Sequence, residues 1–260
     1  MNLNILQIAN PGREVEKITD FIGSILKRAH KENVVIAVSG GIDSALSLSL
    51  LTKTIEAKNI YPVLLPYKEQ NMADAKKLIK HLEIPIKNVS EVNIGEIVDQ
   101  VIETQNIEEK ENLRRGNIMA RSRMIVVYDL AKKLNALVCG TENKSEKYLG
   151  YFTRFGDEAS DFEPIVHLYK TQVRQVVEHL GLPEVFLSKA PSAELWQDQT
   201  DEQELGFSYA IADLIIDQIY FDKMALDNFL TSFEISEETV DKVINRVKSV
   251  NFKHQVPYAL

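Results

Sequence analysis

A short run of small and hydroxyl-bearing residues, Ser-Gly-Gly-Ile-Asp-Ser at positions 39–44, has the composition of a phosphate-binding turn. The two glycines let the backbone approach a ligand closely, and free N–H groups at the start of a following helix would face an anion. Asp43 can hold a magnesium ion that bridges phosphate oxygens, while the serines offer hydroxyl donors. The alternative is an ordinary strand-to-helix turn capped by Asp43 or Ser44.

This run is not a Walker A loop. The pattern Gly-x-x-x-x-Gly-Lys-Ser/Thr, with its lysine that reaches the phosphates, is absent. A phosphate-binding turn without that lysine disfavours an enzyme that transfers the γ-phosphate of a nucleotide.

Two arginines, Arg121 and Arg123, lie in the segment 116–124, which we expect to open a long helix. A guanidinium near a helix start can form charge-assisted hydrogen bonds to a phosphate or a carboxylate. For an isolated arginine, a solvated ion pair on the helix surface is the alternative.

A third polar block, Gly140–Glu146, directly follows the apolar run 136–139. In α/β sheets, ligands bind at the carboxyl ends of parallel strands. Asp43 and Glu146 would therefore converge from two strand ends on a cation bound to phosphate. A surface ion pair of Glu146 with a basic residue one turn away is the alternative.

Two polar loops follow. Residues 151–164 lack periodicity and combine glycine with acidic and aromatic residues, and residues 189–203 carry the only tryptophan of the chain. Loops of this length and polarity often close over a site and exclude water. For Asp157, in the first loop, a role in a simple turn is the alternative.

Strand and helix patterns alternate around these blocks. Continuous β-branched runs are typical of strands buried on both faces, and we expect strands at 34–38, 60–65, 86–92 and 136–140. Helical spacing predicts helices at 15–29, 42–56, 71–82, 111–134 and 169–180, and through most of 204–251. This order predicts an α/β fold with a doubly wound, mainly parallel sheet and helices on both faces. With no linker evident, we expect one domain, 1–260, with a helical C-terminal part.

The composition of the chain limits the classes of partner that it is expected to bind. The formal charge of −8 and the pI near 5.3 disfavour non-specific binding to nucleic acids or membranes. No leader pattern and no run of 18 apolar residues is evident, which favours a cytoplasmic protein. Cys139 is the only cysteine, so no intramolecular disulfide is possible, and the five histidines lack metal-ligand spacing.

The run 39–44 resembles the PP-loop of the ATP pyrophosphatases, which hold the β,γ-diphosphate as a leaving group while a nucleophile attacks the α-phosphorus. The later blocks resemble those of one branch, the ammonia-dependent NAD synthetases, in the order that the family has them. The matching segments are 116–124, 140–146, 149–157, 161–174 and 189–206, with a weaker match at 252–257.

That resemblance implies the amidation of deamido-NAD by ammonia, which consumes ATP and yields NAD, AMP and diphosphate through an acyl-adenylate. It also implies Mg²⁺ and a homodimer. The implied catalytic residues are Asp43, Asp157 and Lys170, and the implied metal ligands are Asp43 and Glu146. The implied ATP contacts are Ala37, Val38, Ser39, Gly40, Gly41, Ile42, Asp43, Ser44, Thr141, Lys170 and Ser192. The implied contacts to deamido-NAD are Arg121, Arg154, Asp161 and Lys253.

The chain departs from the family pattern at four positions. Arg154 stands where relatives commonly have lysine, Phe252 replaces a frequent histidine, and Glu158 and Ser160 replace smaller residues. A nucleotide-binding regulator without turnover therefore stays an alternative, as does a tRNA-modifying PP-loop enzyme, although neither a basic face nor extra cysteines are evident.

The nitrogen source follows from the cysteine count. Glutamine-dependent relatives use a cysteine nucleophile to release ammonia, and Cys139, at the end of a predicted strand, is a poor candidate for that role. We therefore expect free ammonia as the donor, with a separate glutaminase left open.

Overall fold

The structure is a computed structural model that describes residues 3–192 and 199–255. Trp196 of the second polar loop, and the part of the weak C-terminal match beyond Gln255, lie outside the described residues.

A parallel sheet forms the centre of the molecule. Within the described residues it has the strand order β3-β2-β1-β4, with strands β1 (Asn33–Ala37), β2 (Ile60–Leu64), β3 (Ser90–Glu91) and β4 (Ala136–Cys139). The chain adds strands on one side of β1 and then returns to place β4 on its other side. This reversal confirms the doubly wound, parallel arrangement that alternating elements predict.

Helices cover both faces of this sheet. In chain order the α-helices of the described residues are α1 (Pro11–Ala29), α2 (Ile42–Thr54), α3 (Ala73–His81), α4 (Gly95–Thr104), α5 (Asn112–Leu134), α6 (Lys144–Leu149), α7 (Lys170–His179), α8 (Val185–Ser188), α9 (Asp201–Leu205), α10 (Tyr209–Ile215), α11 (Leu226–Phe233) and α12 (Glu237–Val250). A π-helical turn, Ile216–Tyr220, extends α10. Short 3-10 helices lie at Leu3–Leu6, Ala57–Asn59, Ile86–Asn88 and Asn251–His254.

The alternating side chains of β1 divide the core into two layers. Val34 and Ile36 pack with buried residues of α1, α2 and α7 on one face, and Val35 packs with those of α4 and α5 on the other. Successive side chains of a strand point to opposite faces, so a run of β-branched residues serves both layers. The prediction of a strand buried on both faces is thus confirmed.

Several element boundaries differ from the sequence-based expectation. The expected strand at 86–92 is a 3-10 turn followed by the two residues of β3. The segment 116–124 lies inside α5, which begins at Asn112, so Arg121 and Arg123 occupy the middle of that helix rather than its start. The helices α4, α6 and α8 were not predicted, and the polar loop 189–203 ends in the first turn of α9. Short helices offer too few residues for a periodic pattern to emerge.

The C-terminal helices have an apolar core of their own. Phe229, Val243 and Val247 are buried there with residues of α10, and Leu149 and Tyr169 join this cluster from α6 and the residue before α7. The helical C-terminal part therefore packs against the two short elements that carry Glu146 and Lys170.

The loop 151–164 is attached to the edge strand β4. Gly140 N–H donates to the carbonyl of Phe162 at 2.9 Å, and Val138 N–H donates to the Asp161 carboxylate at 2.7 Å. These bonds satisfy backbone N–H groups at the free edge of β4, with which a fifth strand would otherwise pair. They also fix the end of the loop beside the carboxyl end of β4.

Two glutamates lie together under this attachment. The Glu163 carboxylate accepts hydrogen bonds from Ser160 Oγ at 2.7 Å and from Glu142 N–H at 3.0 Å, and it fills the space that a Cβ on Gly140 would need. Burial, and then the charge of Glu163, raise the pKa of Glu142 to about 9. Burial likewise raises the pKa of Glu163 to about 7, against the opposing effect of its hydrogen bonds.

We predict that Glu142→Gln flattens the pH dependence of stability. Between the ordinary glutamate pKa and the raised one, the unfolded chain has released the Glu142 proton while the folded protein keeps it. This group therefore lowers the stability of the wild type as pH rises from about 5 to about 9, and glutamine cannot do so. Urea unfolding across that range measures the slope.

The exposed Glu109→Gln is the matched control for this experiment, and it should leave the slope unchanged. Parallel stability curves for wild type and Glu142→Gln would contradict the raised pKa of Glu142.

Candidate active site

A buried lysine lies between two carboxylates at the carboxyl edge of the sheet. Lys170 Nζ is 2.5 Å from Asp43 Oδ2 and 3.0 Å from Glu146 Oε1. The Lys170 side chain is only 6% exposed, and the two carboxylate side chains are 15% and 17% exposed. A charge removed from water to this degree needs partners at hydrogen-bond distance, and each of the three groups has one.

The sheet topology explains why these residues meet. Asp43 lies in the first turn of α2, after β1, and Glu146 lies in α6, after β4. Because β1 and β4 are neighbours at the point where the strand order reverses, their following helices diverge and leave a crevice. Lys170, the first residue of α7, enters this crevice. The structure thus brings together both predicted metal ligands and two of the three predicted catalytic residues, Asp43 and Lys170.

Asn143, which the sequence analysis did not single out, links the two carboxylates. Its side chain accepts from Glu146 N–H at 3.0 Å as the cap of α6, and its Nδ2 donates to Asp43 Oδ1 at 2.8 Å. The Glu146 side chain in turn lies 3.4 Å from the Asn143 N–H, which completes a capping box. The sequence Asn-x-x-Glu at 143–146 carries this signal.

The glycine-rich run forms an open turn. Gly40 has a φ of +89°, and a Cβ there would lie 3.3 Å from the backbone nitrogen of Ala75. The N-cap of α2 is Gly41, which provides no side-chain cap. Ser44 Oγ donates to the carbonyl of Gly41 instead of accepting from the helix start. The alternative that Asp43 or Ser44 merely caps this turn is therefore wrong.

At several of the predicted ATP contacts, the backbone and not the side chain would have to bind the nucleotide. The side chains of Val38 and Ile42 are buried in the core. Ser39 Oγ, by contrast, is exposed and lies 3.2 Å from Ser44 Oγ. The turn thus exposes Ser39, while Ser44 is buried, and the first N–H groups of α2 lack partners within the helix.

The electrostatics of the site disfavour two charged carboxylates beside the single Lys170 ammonium. Burial opposes the charged form of Lys170, but Asp43 and Glu146 outweigh it and hold the pKa of Lys170 above its usual value. Burial raises the pKa of Glu146 to about 8, with Lys170 opposing and Asp43 adding to this shift. With this raised pKa, the second carboxyl of the site is neutralised by a proton near neutral pH, and a bound cation would replace that proton.

The donor set suits Mg²⁺. Carboxylate oxygens are hard ligands, and Mg²⁺ is usually held by one or two carboxylates together with substrate phosphates. Among the described residues, no group of three or more His, Cys, Asp or Glu side chains is arranged to hold a metal. Asp43 and Glu146 thus fit an ion that arrives with a nucleotide rather than a cage made by the protein alone.

A second set of predicted residues lies around the loop 151–164. Arg121 Nε donates to the carbonyl of Arg154 at 3.2 Å, which brings these two arginines together. Asp157 is an exposed residue whose carboxylate accepts Thr153 N–H at 3.0 Å, so its expected role in a turn is present too.

Two predicted substrate contacts also hold the loop in place. Asp161 accepts the N–H of Val138 with its carboxylate. Lys253 Nζ donates to the carbonyls of Gly150 and Phe152 at 2.6 and 2.7 Å. Thr141 is partly exposed after β4, and Ser192 is partly exposed at the end of the first described range.

The C-terminal helices contribute residues that the sequence analysis missed. The ring of Tyr209 has its centre 5.3 Å from Lys170 Nζ, and its hydroxyl donates to Asp201 at 3.0 Å. Asp213, fully buried in α10, contacts Ser145 and Thr171. The sequence does contain a signal for these residues. Three polar residues, 209, 213 and 217, recur every four positions in an otherwise apolar segment, which places them on one face of a helix.

Cys139 is unsuited to nucleophilic chemistry. It lies buried in β4, and burial raises the pKa of its thiol well above the usual value. A thiol that stays protonated is a poor nucleophile.

Comparison with known proteins agrees with this geometry. The sequence model of the family described as NAD synthase matches residues 14–257. The NH(3)-dependent NAD(+) synthetase of Pyrococcus furiosus is 38% identical over 244 residues, which cover 93% of this chain and 93% of that protein. A solved NMN synthetase from Francisella tularensis is 31% identical with a TM-score of 0.81, covering 97% of this chain and 99% of the other.

A solved NH3-dependent NAD synthetase from Campylobacter jejuni is 30% identical with a TM-score of 0.79, covering 96% and 99% of the two chains. The family match spans most of the chain, including the turn at 39–44, the three residues around Lys170 and the loop 151–164. The chain belongs to the NAD synthase family.

Proposed function

We propose that this protein is an ammonia-dependent NAD synthetase, a carbon–nitrogen ligase that converts deamido-NAD, ATP and ammonia to NAD, AMP and diphosphate. The observation that carries the proposal is the buried Lys170 ammonium between Asp43 and Glu146, beside an open glycine turn, in a chain of the NAD synthase family. Membership of the family and the names of its close relatives support the reaction.

The first half of the reaction activates the nicotinate carboxylate. A carboxylate oxygen of deamido-NAD attacks the α-phosphorus of ATP, the bond from the α-phosphorus to the α,β-bridging oxygen breaks, and diphosphate leaves with the bonding electrons. The product is an acyl-adenylate, whose AMP group leaves far more readily than the original carboxylate oxygen. The protein contributes positioning and neutralisation of charge.

Residues of the crevice would hold the nucleotide. The backbone of Ala37–Ser44 and the hydroxyl groups of the two serines face the phosphates, and Thr141 and Ser192 add contacts from neighbouring loops. Lys170 lies where its ammonium can be shared between Asp43 and the developing charge at the α-phosphate. Asp43 and Glu146 would hold Mg²⁺, which when bound neutralises the charge of the diphosphate leaving group.

The second half forms the amide. Ammonia attacks the acyl carbon, AMP departs, and the nitrogen loses a proton, for which Asp157 is the proposed acceptor. Arg121, Arg154, Asp161 and Lys253 are the proposed contacts to deamido-NAD. The buried thiol of Cys139 supports free ammonia as the donor.

We further propose a cytoplasmic homodimer. No helix in the described ranges is both long and apolar enough to cross a bilayer. The helices α4 and α5, on one face of the sheet, expose Ile97, Leu113 and Ile125, and exposed apolar residues along adjacent helices favour association. Light scattering coupled to gel filtration should give twice the 29.5 kDa mass of one chain, and the mass of a single chain would contradict the dimer.

A direct assay tests the reaction. Incubation with ATP, Mg²⁺, ammonium and deamido-NAD should yield NAD and AMP in equal amounts. Chelation of Mg²⁺ should stop the reaction, and glutamine should not replace ammonium. Nicotinate mononucleotide, tested in parallel, checks the acceptor, because one relative is an NMN synthetase.

The outcomes of this assay separate the alternatives. Absence of NAD at every ammonium concentration, with ATP still bound, would favour the regulatory alternative. Preferential amidation of nicotinate mononucleotide would overturn the choice of deamido-NAD but leave the ATP-dependent half intact.

We predict that Asp43→Asn lowers the rate of NAD formation by about 100-fold or more, since a ligand of the cation loses its charge. Asparagine keeps the shape of the side chain, and Lys170 retains its bond to Glu146, so the variant should remain folded. Rates of NAD and AMP formation, with thermal unfolding of the same samples, measure both effects.

The control for that variant is Asp227→Asn, at an exposed aspartate of α11, which should retain the wild-type rate. A fully active Asp43→Asn would exclude Asp43 from the machinery, and an unfolded one would assign it to stability.

A further inference from the structure

The helix α10 and the π-helical turn that extends it present a stripe of buried polar residues to the start of α7. Tyr209, Asp213 and Asp217 are spaced by four residues and are 3%, 0% and 8% exposed. Residues four apart lie one above another on a helix, so the stripe forms a single face. Each member contacts one of the three consecutive residues Tyr169–Thr171: the Tyr209 ring lies near Lys170, Asp213 binds Thr171, and Asp217 binds the hydroxyl of Tyr169.

Asp213 binds both the backbone and the side chain of Thr171 at the start of α7. Its Oδ2 accepts Thr171 N–H at 3.0 Å and Thr171 Oγ1–H at 2.8 Å. Its Oδ1 accepts the hydroxyl of Ser145, whose oxygen accepts Lys170 N–H at 2.8 Å. Asp213 therefore holds the first two residues of α7, Thr171 directly by two bonds and Lys170 through Ser145.

The bond from Ser145 also connects Asp213 to α6, the helix that carries Glu146. Ser145 directly precedes Glu146 in α6, so one carboxylate ties the element that carries Glu146 to the element that carries Lys170. A negative charge beside the first N–H groups of a ten-residue helix is also favourable for the helix dipole. Hydrogen-bonded from three donors, this fully buried carboxylate has its cost of burial offset locally.

We propose that Asp213 is a positioning residue for the reaction. It sets the backbone of Lys170 relative to Glu146, through Ser145 and Thr171, without touching substrate. This inference rests on the proposed function, because it assigns Asp213 to the same site. The Lys170 ammonium lies at the end of a four-carbon side chain, so a small rotation at the start of α7 moves it away from Asp43 and from the α-phosphate.

The test replaces the carboxylate by a group of the same shape. In Asp213→Asn the amide N–H₂ replaces one acceptor oxygen, so either the bond from the Ser145 hydroxyl or the bonds from Thr171 must rearrange, whichever way the amide turns. We expect kcat to fall about 10- to 100-fold, the size of effect that a misplacement of roughly 1 Å produces. The KM values for ammonium and deamido-NAD should change little, because neither ligand depends on the α7 start for binding.

Asp217→Asn is the matched control. It makes the same change one turn later on the same buried stripe, where the carboxylate binds Tyr169, Lys223 and Gln218 rather than the backbone of Lys170 or Thr171. The control should lower thermal stability but leave kcat within about twofold of wild type. Equal losses of kcat in the two variants would overturn the proposal and assign both aspartates to stability alone.

A second measurement needs no catalysis. Hydrogen exchange followed by mass spectrometry, without substrates, should show faster exchange of the Lys170 and Thr171 amides in Asp213→Asn and not in Asp217→Asn. If wild type makes no NAD, the proposed function fails, while this measurement still tests the hold on α7. If exchange of these amides were unchanged in Asp213→Asn, Asp213 would not hold the start of α7, even in an active enzyme.

Ser145→Ala provides a milder variant in case Asp213→Asn does not fold. It removes the hydroxyl between Lys170 N–H and Asp213, and kcat should fall in the same direction by a smaller factor. If Asp213 acts through Ser145, the double variant should be no slower than Asp213→Asn alone, since the two changes break one path. Independent, multiplying effects of the two substitutions would contradict the route through Ser145.

Discussion

The buried ammonium group of Lys170 is paired with two carboxylates, and this pairing constrains where three helices of the molecule can lie. Lys170 is almost fully removed from water, and an unpaired charge in that position would cost several kcal/mol. Its partners come from parts of the chain 127 and 24 residues away, so three separate elements must meet at one point. The helices α2, α6 and α7 are therefore positioned by this charge as well as by their apolar faces. The same concentration of charge creates the place where a metal and phosphates can bind.

The topology of the sheet decides where this point lies. With β1 and β4 adjacent, the helices α2 and α6 that follow them begin beside each other at the carboxyl edge of the sheet, where a crevice is expected. The turn with a positive φ at Gly40 lies at the mouth of this crevice. Asn143 then spans from the start of α6 to Asp43, so the two carboxylates are connected even before a ligand arrives. The site is thus largely formed by backbone geometry and capping.

The sequence predicts part of this arrangement because some of it follows local rules. Asp43 and Glu146 each come shortly after a buried strand, and parallel strands bring their carboxyl ends to one edge. Nothing local indicates that Lys170 reaches the same edge, because the segment before it lacks periodicity; only the resemblance to a family predicted its role. The contribution of Asp213 depends on how α10 packs against α7, which is a tertiary contact. The two-residue β3 and the six-residue α6 are too short for any periodic pattern to reveal them.

Two of the four departures from the family pattern, Arg154 and Phe252, lie beside each other. The Arg154 guanidinium lies 5.7 Å from the centre of the Phe252 ring and 5.3 Å from that of Phe155, so the planar cation faces aromatic surfaces. A guanidinium stacks on rings better than an ammonium does, which makes arginine the suitable partner for a phenylalanine at position 252. Ser160 likewise finds a partner in the Glu163 carboxylate. Substitutions that satisfy one another preserve the local geometry, and they therefore weigh less against turnover than their number in the sequence suggests.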